Sequence, residues 1–146
     1  MSEKTTRGLS KILEQVKDCS EADQFIDAYK EREFTYFYEY LNWMIGVKGL
    51  TTAEIVAASG ISRNYVYNIL NGDKKNPGRD KVIALCIGAG LNYSQTQRGL
   101  EIAKAAPLYP KDERDVRIAV AINNGIRSVT EVNLLLDQCG VEPLKI

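Results

Sequence analysis

Apolar residues recur along most of this chain at intervals of three and four, the spacing that turns one side of an α-helix toward a core. Near the N-terminus Leu9, Ile12, Leu13 and Val16 follow it, and Ser20 with Asp23 restarts a second helix carrying Phe25, Ile26 and Tyr29. Phe34 to Val47 is different. Phe34, Tyr36, Phe37, Tyr38, Tyr40, Leu41, Trp43, Met44, Ile45 and Val47 leave almost no polar side. A helix apolar all round is buried on several sides, so this one should be the most buried element. Its aromatic rings read as core or interface rather than as platforms for stacking bases.

The next stretch, TTAEIVAASGISRNYVYNILN from Thr51 to Asn71, divides into two short helices about a sharp turn. Thr51 with Glu54 makes a capping box, and Ile55 and Ala58 form the buried stripe of the first helix. Gly60 follows Ser59 where the chain must leave the helix in a left-handed conformation, which glycine adopts without steric cost. Ser62 caps the second helix, which buries Val66, Ile69 and Leu70. Its exposed face is Arg63, Asn64, Tyr67 and Asn68, side chains able to hydrogen-bond base edges. A short helix presenting Arg and Asn outward on a helical hairpin is suited to a DNA major groove.

Helical signals continue to the C-terminus. Asp80 opens a helix with Val82, Ile83, Leu85, Cys86 and Ala89, which stops at Gly88-Ala89-Gly90, and Ser94 with Gln97 forms a further capping box ahead of Leu100, Ile102 and Ala103. Pro107-Leu108-Tyr109-Pro110 breaks the chain and reads as a rigid elbow rather than a PxxP ligand. Beyond it Asp112, Glu113 and Asp115 favour a helix start. Val116, Ala119, Val120 and Asn123 share a face, and Asn124-Gly125 ends that helix. Ser128 with Glu131 makes one more box before Val132, Leu135 and Leu136. The pattern predicts an all-α fold of seven or eight helices and no sheet.

The segment Thr51–Asn71 resembles the helix-turn-helix of the lambda-repressor-like, or Xre, family of bacterial and phage regulators. The residues that carry the likeness are Ile55, Gly60, Ile61-Ser62, Val66 and Ile69. It continues through NGDKKNPGRDKVIALCIGAGLNYSQTQ, which is similar to that family's basic loop and next two helices, with Gly90-Leu91 at the turn between them. It covers roughly Phe37 to Ala103. Where the family often has Gln at the first position of each helix of the motif, this chain has Thr52 and Ser62 or Arg63, and Val56 stands where a small Ala is usual. The likeness implies a lambda-repressor-like helix-turn-helix domain at 34–105, and the helical patterns outside it read as an N-terminal helical appendage at 1–33 and a C-terminal helical hairpin at 106–146.

Charge sharpens this picture. Lys plus Arg equals Asp plus Glu, 19 each in 146 residues, so there is no global basic field. Residues 1–40 hold 6 basic and 9 acidic side chains, whereas residues 41–146 hold 13 and 10. From Arg63 to Lys81 five cations (Arg63, Lys74, Lys75, Arg79 and Lys81) face only Asp73 and Asp80, a local basic patch beside the second helix. Cys19, Cys86 and Cys139 are odd in number and widely spaced, with no CxxC and no His, and read as reduced thiols of a cytoplasmic protein. No signal peptide or membrane span is expected, since no apolar run approaches the ~18 residues a span requires. Without His the commonest general base is missing. Gly88-Ala89-Gly90 lacks the third glycine and the preceding strand of a dinucleotide fingerprint. Ser62 has a capping role rather than that of a nucleophile paired with Lys74 or Lys75, and no catalytic constellation, metal site or cofactor is expected.

The expected function is that of a sequence-specific DNA-binding transcriptional regulator, a repressor, reading the major groove with helix 62–71. Arg63 and Asn64 would enter the groove first, with Tyr67 and Asn68 further along and Ser62 at the cap. Thr52, Lys74, Lys75 and Arg79 would hold phosphates and set register. The partner is double-stranded DNA. A homodimer is expected, because one helix-turn-helix reads only a few base pairs and two recognition helices about 34 Å apart meet successive grooves. Its surface is sought in the C-terminal hairpin, with Leu134, Leu135 and Val141, ahead of the outer face of the aromatic helix. The alternative is a protein-interaction module built on the same fold: an antitoxin, a phage-encoded inhibitor, or a kinase partner modified at Ser2, Thr5, Thr6 or Ser10.

Overall fold

The computed structural model describes residues 34–146, and among them the fold is all-helical, with no strand. The expected helices at residues 9–29, the appendage 1–33, Cys19 and the N-terminal Ser/Thr sites lie outside the described residues. The helices are α1 (Phe37–Lys48), α2 (Thr52–Ser59), α3 (Arg63–Leu70), α4 (Arg79–Gly88), α5 (Tyr93–Ile102), α6 (Glu113–Asn123) and α7 (Val129–Gln138). The two helices of the predicted motif are α2 and α3, joined at Gly60 with φ 71°.

Local chemistry sets several of these boundaries where the sequence placed them. Thr51 Oγ1 accepts from the Glu54 N–H and the Glu54 carboxylate accepts from the Thr51 N–H (3.2 and 3.1 Å), closing the capping box of α2. Other boundaries move. Helix α1 starts at Phe37 rather than Phe34, because the Glu39 carboxylate accepts from the N–H groups of Thr35 and Tyr36 (3.0 and 2.8 Å) and caps the helix there. Helix α5 is capped by Asn92 with Gln95 and not by Ser94 with Gln97; the reciprocal bonds are 2.8 and 2.9 Å. Ser128 accepts from the Glu131 N–H (3.4 Å), so α7 is capped by the serine half of the expected box.

The most buried element is α4, not the aromatic helix. Residues Val82 to Ala89 are all buried, because α4 packs against α2, α5 and α7 and has almost no free side. Helix α1 lies on the outside of that layer against α3 and α5, buries Phe37, Tyr40, Leu41 and Met44, and leaves Val47 64% exposed. Helix α2 comes close to α4 at Gly88, where a Cβ would stand 3.1 Å from the Ser59 nitrogen. The buried pair on α2 is accordingly Ile55 and Ser59 rather than Ile55 and Ala58. Ser59 Oγ accepts from the Ile61 N–H (3.2 Å), which holds the turn into α3.

The hairpin α6–α7 shares one hydrophobic core with the rest; Ile118, Ala121, Ile122, Val129, Val132 and Leu136 join it. The expected stripe of α6 is reversed. Val116 and Val120 point outward, and Asp115, Ile118, Ala121 and Ile122 face inward. Two irregular segments are held by side-chain amides that stand in for a backbone partner. The Gln97 amide accepts from the Leu108 N–H (2.7 Å) and donates to its carbonyl (3.0 Å), pinning the proline elbow with Leu108 buried. Asn133 does the same for Leu144 (2.7 and 3.3 Å), which draws the C-terminal segment back onto the core.

Candidate nucleic-acid interface

Helix α3 is short and held at both ends. Ser62 Oγ accepts from the Tyr65 N–H (3.3 Å) at its start, and Asn42 of α1 donates to the Leu70 carbonyl (2.8 Å) at its finish. Val66 and Ile69 are buried against the core, Leu70 is half-buried, and Arg63, Asn64, Tyr67 and Asn68 are exposed. All four polar positions singled out in the sequence therefore share one solvent-facing side. The Arg63 guanidinium lies 5.4 Å from the centre of the Tyr67 ring, a cation–π contact that restrains it without using its hydrogen-bond donors.

The loop after α3 folds back beside this face. The Lys74 N–H donates to the Asn68 carbonyl (2.9 Å), and the Asn71 side chain accepts from the Asp73 N–H (3.0 Å). Lys74 and Lys75 are both exposed. Lys74 lies 5.4 Å and Lys81 5.0 Å from the ring of Tyr65, and Lys75 lies 5.1 Å from the ring of Tyr36. Tyr36 in turn stacks on Tyr38 (5.9 Å between centres), against which Gly72 passes with φ 87°. The result is a basic rim continuous with the Asn68 edge of α3. Asn42, Tyr36 and Tyr65 were not singled out as site residues from sequence. Asn42, a polar residue in the apolar middle of α1, was the visible hint.

Two further predicted phosphate contacts, Thr52 and Arg79, open helices α2 and α4. Thr52 is half-buried in the first turn of α2, on the other helix of the motif. Arg79 is engaged within the fold. Its guanidinium donates to the Ala106 and Pro107 carbonyls (2.8 and 3.1 Å) and to the Asp115 carboxylate (2.9 Å), with side-chain exposures of 27% and 7% for the pair. Arg79 fastens the hairpin rather than extending the basic rim. Asp80 is likewise engaged: Arg114 grips it with two bonds (3.2 and 2.8 Å), and the Lys145 N–H adds a third (2.9 Å). Burial pushes the Asp80 carboxyl up, but the Arg114 and Lys145 hydrogen bonds with the Arg114 and Arg79 charges outweigh it and hold the group below the usual carboxylate range. With Arg79 and Asp80 paired inward, Arg63, Lys74, Lys75, Lys81 and Asp73 are the charges of the patch that form no ion pair among the described residues.

Cys86 is fully buried, which pushes its thiol up and keeps it protonated, whereas Cys139 is exposed and accepts a bond from Arg117 Nη1 (3.2 Å). Among the described residues no helix is long and apolar enough to cross a membrane.

No protein-family model matches the chain, and no solved structure matches it. Among curated proteins it is 31% identical over 74 residues to the trifunctional NAD biosynthesis/regulator protein NadR of Salmonella typhimurium (strain LT2), a stretch that covers 49% of this chain and 18% of that protein. The chain is thus similar to a minor part of a protein named a regulator and spans less than a fifth of its length.

Proposed function

We propose that this chain is a sequence-specific DNA-binding transcriptional regulator of the lambda-repressor-like kind, acting as a repressor in the cytoplasm and reading the major groove with α3. The observation that carries the reading is the exposed face Arg63, Asn64, Tyr67 and Asn68 on a helix rigidly seated at both ends and bordered by Lys74 and Lys75. Arg63 is the residue for base readout, since its fork spans both acceptors of a guanine; Asn64 and Asn68 match adenine. Lys74, Lys75 and Lys81 neutralise phosphates. The likeness to part of a named regulator supports the same role. The chain carries out no catalysis of its own in this reading and needs no cofactor.

The test is binding to the DNA immediately upstream of the chain's own gene, followed by fluorescence anisotropy across a salt series. Preference for that DNA over a scrambled duplex, with affinity falling steeply from ~50 to ~200 mM salt, is the expected outcome. Equal, salt-insensitive binding to both, or none to either, would favour the protein-interaction alternative.

A further inference from the structure

Tyrosine hydroxyls with no partner and lysines with no acid meet along one edge of α3, beside the loop that follows it. Tyr65 is half-buried, and two ammoniums from different elements rest over its ring: Lys74 of the loop at 5.4 Å and Lys81 of α4 at 5.0 Å. Lys75, next in the loop, rests instead over Tyr36 at 5.1 Å. Among the described residues none of the three lysines forms an ion pair, and neither the Tyr36 nor the Tyr65 hydroxyl makes a hydrogen bond. Elsewhere tyrosine hydroxyls are used within the fold: that of Tyr40 donates to the Gln95 carbonyl (2.8 Å), and that of Tyr93 accepts from the Gln97 amide (3.1 Å). Cations gathered without a paired carboxylate repel one another, and an anion set among them relieves that repulsion.

We propose that Tyr36 and Tyr65 are themselves backbone contacts, each hydroxyl donating to a phosphate of duplex DNA that a lysine on its ring neutralises. Two observations select phosphate. An ammonium 5.0 Å over a ring centre stands ~6 Å from that ring's hydroxyl oxygen, a gap that two oxygens of one phosphate bridge with ordinary hydrogen bonds of ~2.8 Å. A lysine seated on a ring also keeps its three donors and gives up no acidic partner when it turns to an incoming anion. The place on α3 selects the duplex backbone over a free phosphate. Tyr65 lies about 100° round the helix from Asn64, off the outward face and toward Lys74 and Lys81. A helix ~10–12 Å across fills a major groove ~12 Å wide, so its flanks meet the phosphates of the groove wall while its outward face meets the bases. The consecutive lysines of the loop reach different rings, which gives two contacts on one such wall.

These contacts rest on the duplex-binding role proposed above, but not on which bases α3 reads. The rings seat the lysines, and the hydroxyls add binding that no count of the chain's charges contains. Salt dependence separates the two parts. An ammonium set on a phosphate releases counterions and steepens the salt slope, whereas a neutral hydroxyl strengthens binding by the same factor at every salt concentration.

Binding to a scrambled duplex, followed by fluorescence anisotropy from ~50 to ~200 mM salt, tests the tyrosines. Tyr65→Phe and Tyr36→Phe keep the rings and remove only the hydroxyls. Each should weaken binding about ten-fold at every salt concentration, with the salt slope and the thermal unfolding curve unchanged. Lys81→Ala should instead flatten the slope by ~0.9. Inorganic pyrophosphate at matched ionic strength is the probe for a free phosphate and should displace little of the duplex, since it spans one ring and not the wall. Phenylalanine variants that bind like the parent, a loss that changes with salt, strong displacement by pyrophosphate, or a parent that binds no duplex would overturn the proposal. Failure of base reading looks different: the upstream and scrambled duplexes would bind alike, while the phenylalanine variants still lost their ten-fold.

Discussion

Replacing Arg79 by Ala separates two roles that the sequence alone leaves superposed. The guanidinium spans α4 and the hairpin through two carbonyls and the Asp115 carboxylate. The carbonyls of Ala106 and Pro107 belong to exposed residues and can turn to water, so their loss costs little. Asp115 is 5% exposed and, among the described residues, keeps only the Tyr109 N–H (2.9 Å) on the same oxygen. Removing one partner of a buried pair costs about 3–5 kcal/mol. With Arg79 itself about a quarter exposed, screening by water brings the figure to about 2–3 kcal/mol. At an unfolding entropy of ~2.1 cal/mol/K per residue, a chain of this length should melt about 7–10 °C lower. Urea unfolding followed by circular dichroism measures the loss as a lower midpoint at unchanged slope. On DNA, well below the melting transition, Arg79→Ala should leave the salt slope intact, while Lys74→Ala and Lys75→Ala should each flatten it by ~0.9. An Arg79→Ala protein stable to within about 0.5 kcal/mol of the parent, with the slope reduced by ~0.9, would refute this reasoning and return Arg79 to the phosphate contacts.

Arg63→Ala should relax preference for the upstream DNA by about 1–3 kcal/mol at one base pair and spare non-specific binding; equal loss on every sequence would show Arg63 to be a phosphate contact. The depressed Asp80 pKa contributes stability that is present above the unfolded value of ~3.9 and is lost as pH falls through the lower folded value. Asp80→Asn should therefore be less stable than the parent at pH 7 and lose less on acidification below pH ~4, as read by urea midpoints at each pH. Native protein should react with a thiol reagent at Cys139 and not at Cys86 until it is unfolded, with peptide mapping to locate the label; labelling of Cys86 in the folded chain would contradict its burial.

The features legible in the sequence were local ones. The Thr51–Glu54 box, the Ser62 cap and the left-handed Gly60 each act within three or four residues, so the boundaries of α2 and α3 were legible. The solvent exposure of Arg63, Asn64, Tyr67 and Asn68 was legible for the same reason, because Val66 and Ile69 leave that side no other place to go. Whatever had two local solutions or a distant partner was settled by packing. Helix α6 has apolar residues on both sides, and helical spacing fits Val116–Val120 as well as Ile118–Ala121–Ile122; only contact with the shared core chose the second, and so left the first exposed. Helix α1 looks apolar enough to be central, yet α4 is central because α2, α5 and α7 all rest on it. Arg79 looked like one more cation of a basic patch until Asp115, 36 residues away, was brought against it. Capping is a contest among neighbours that sequence displays; burial and ion pairing are settled by which surfaces meet, and short-range periodicity carries no information about that.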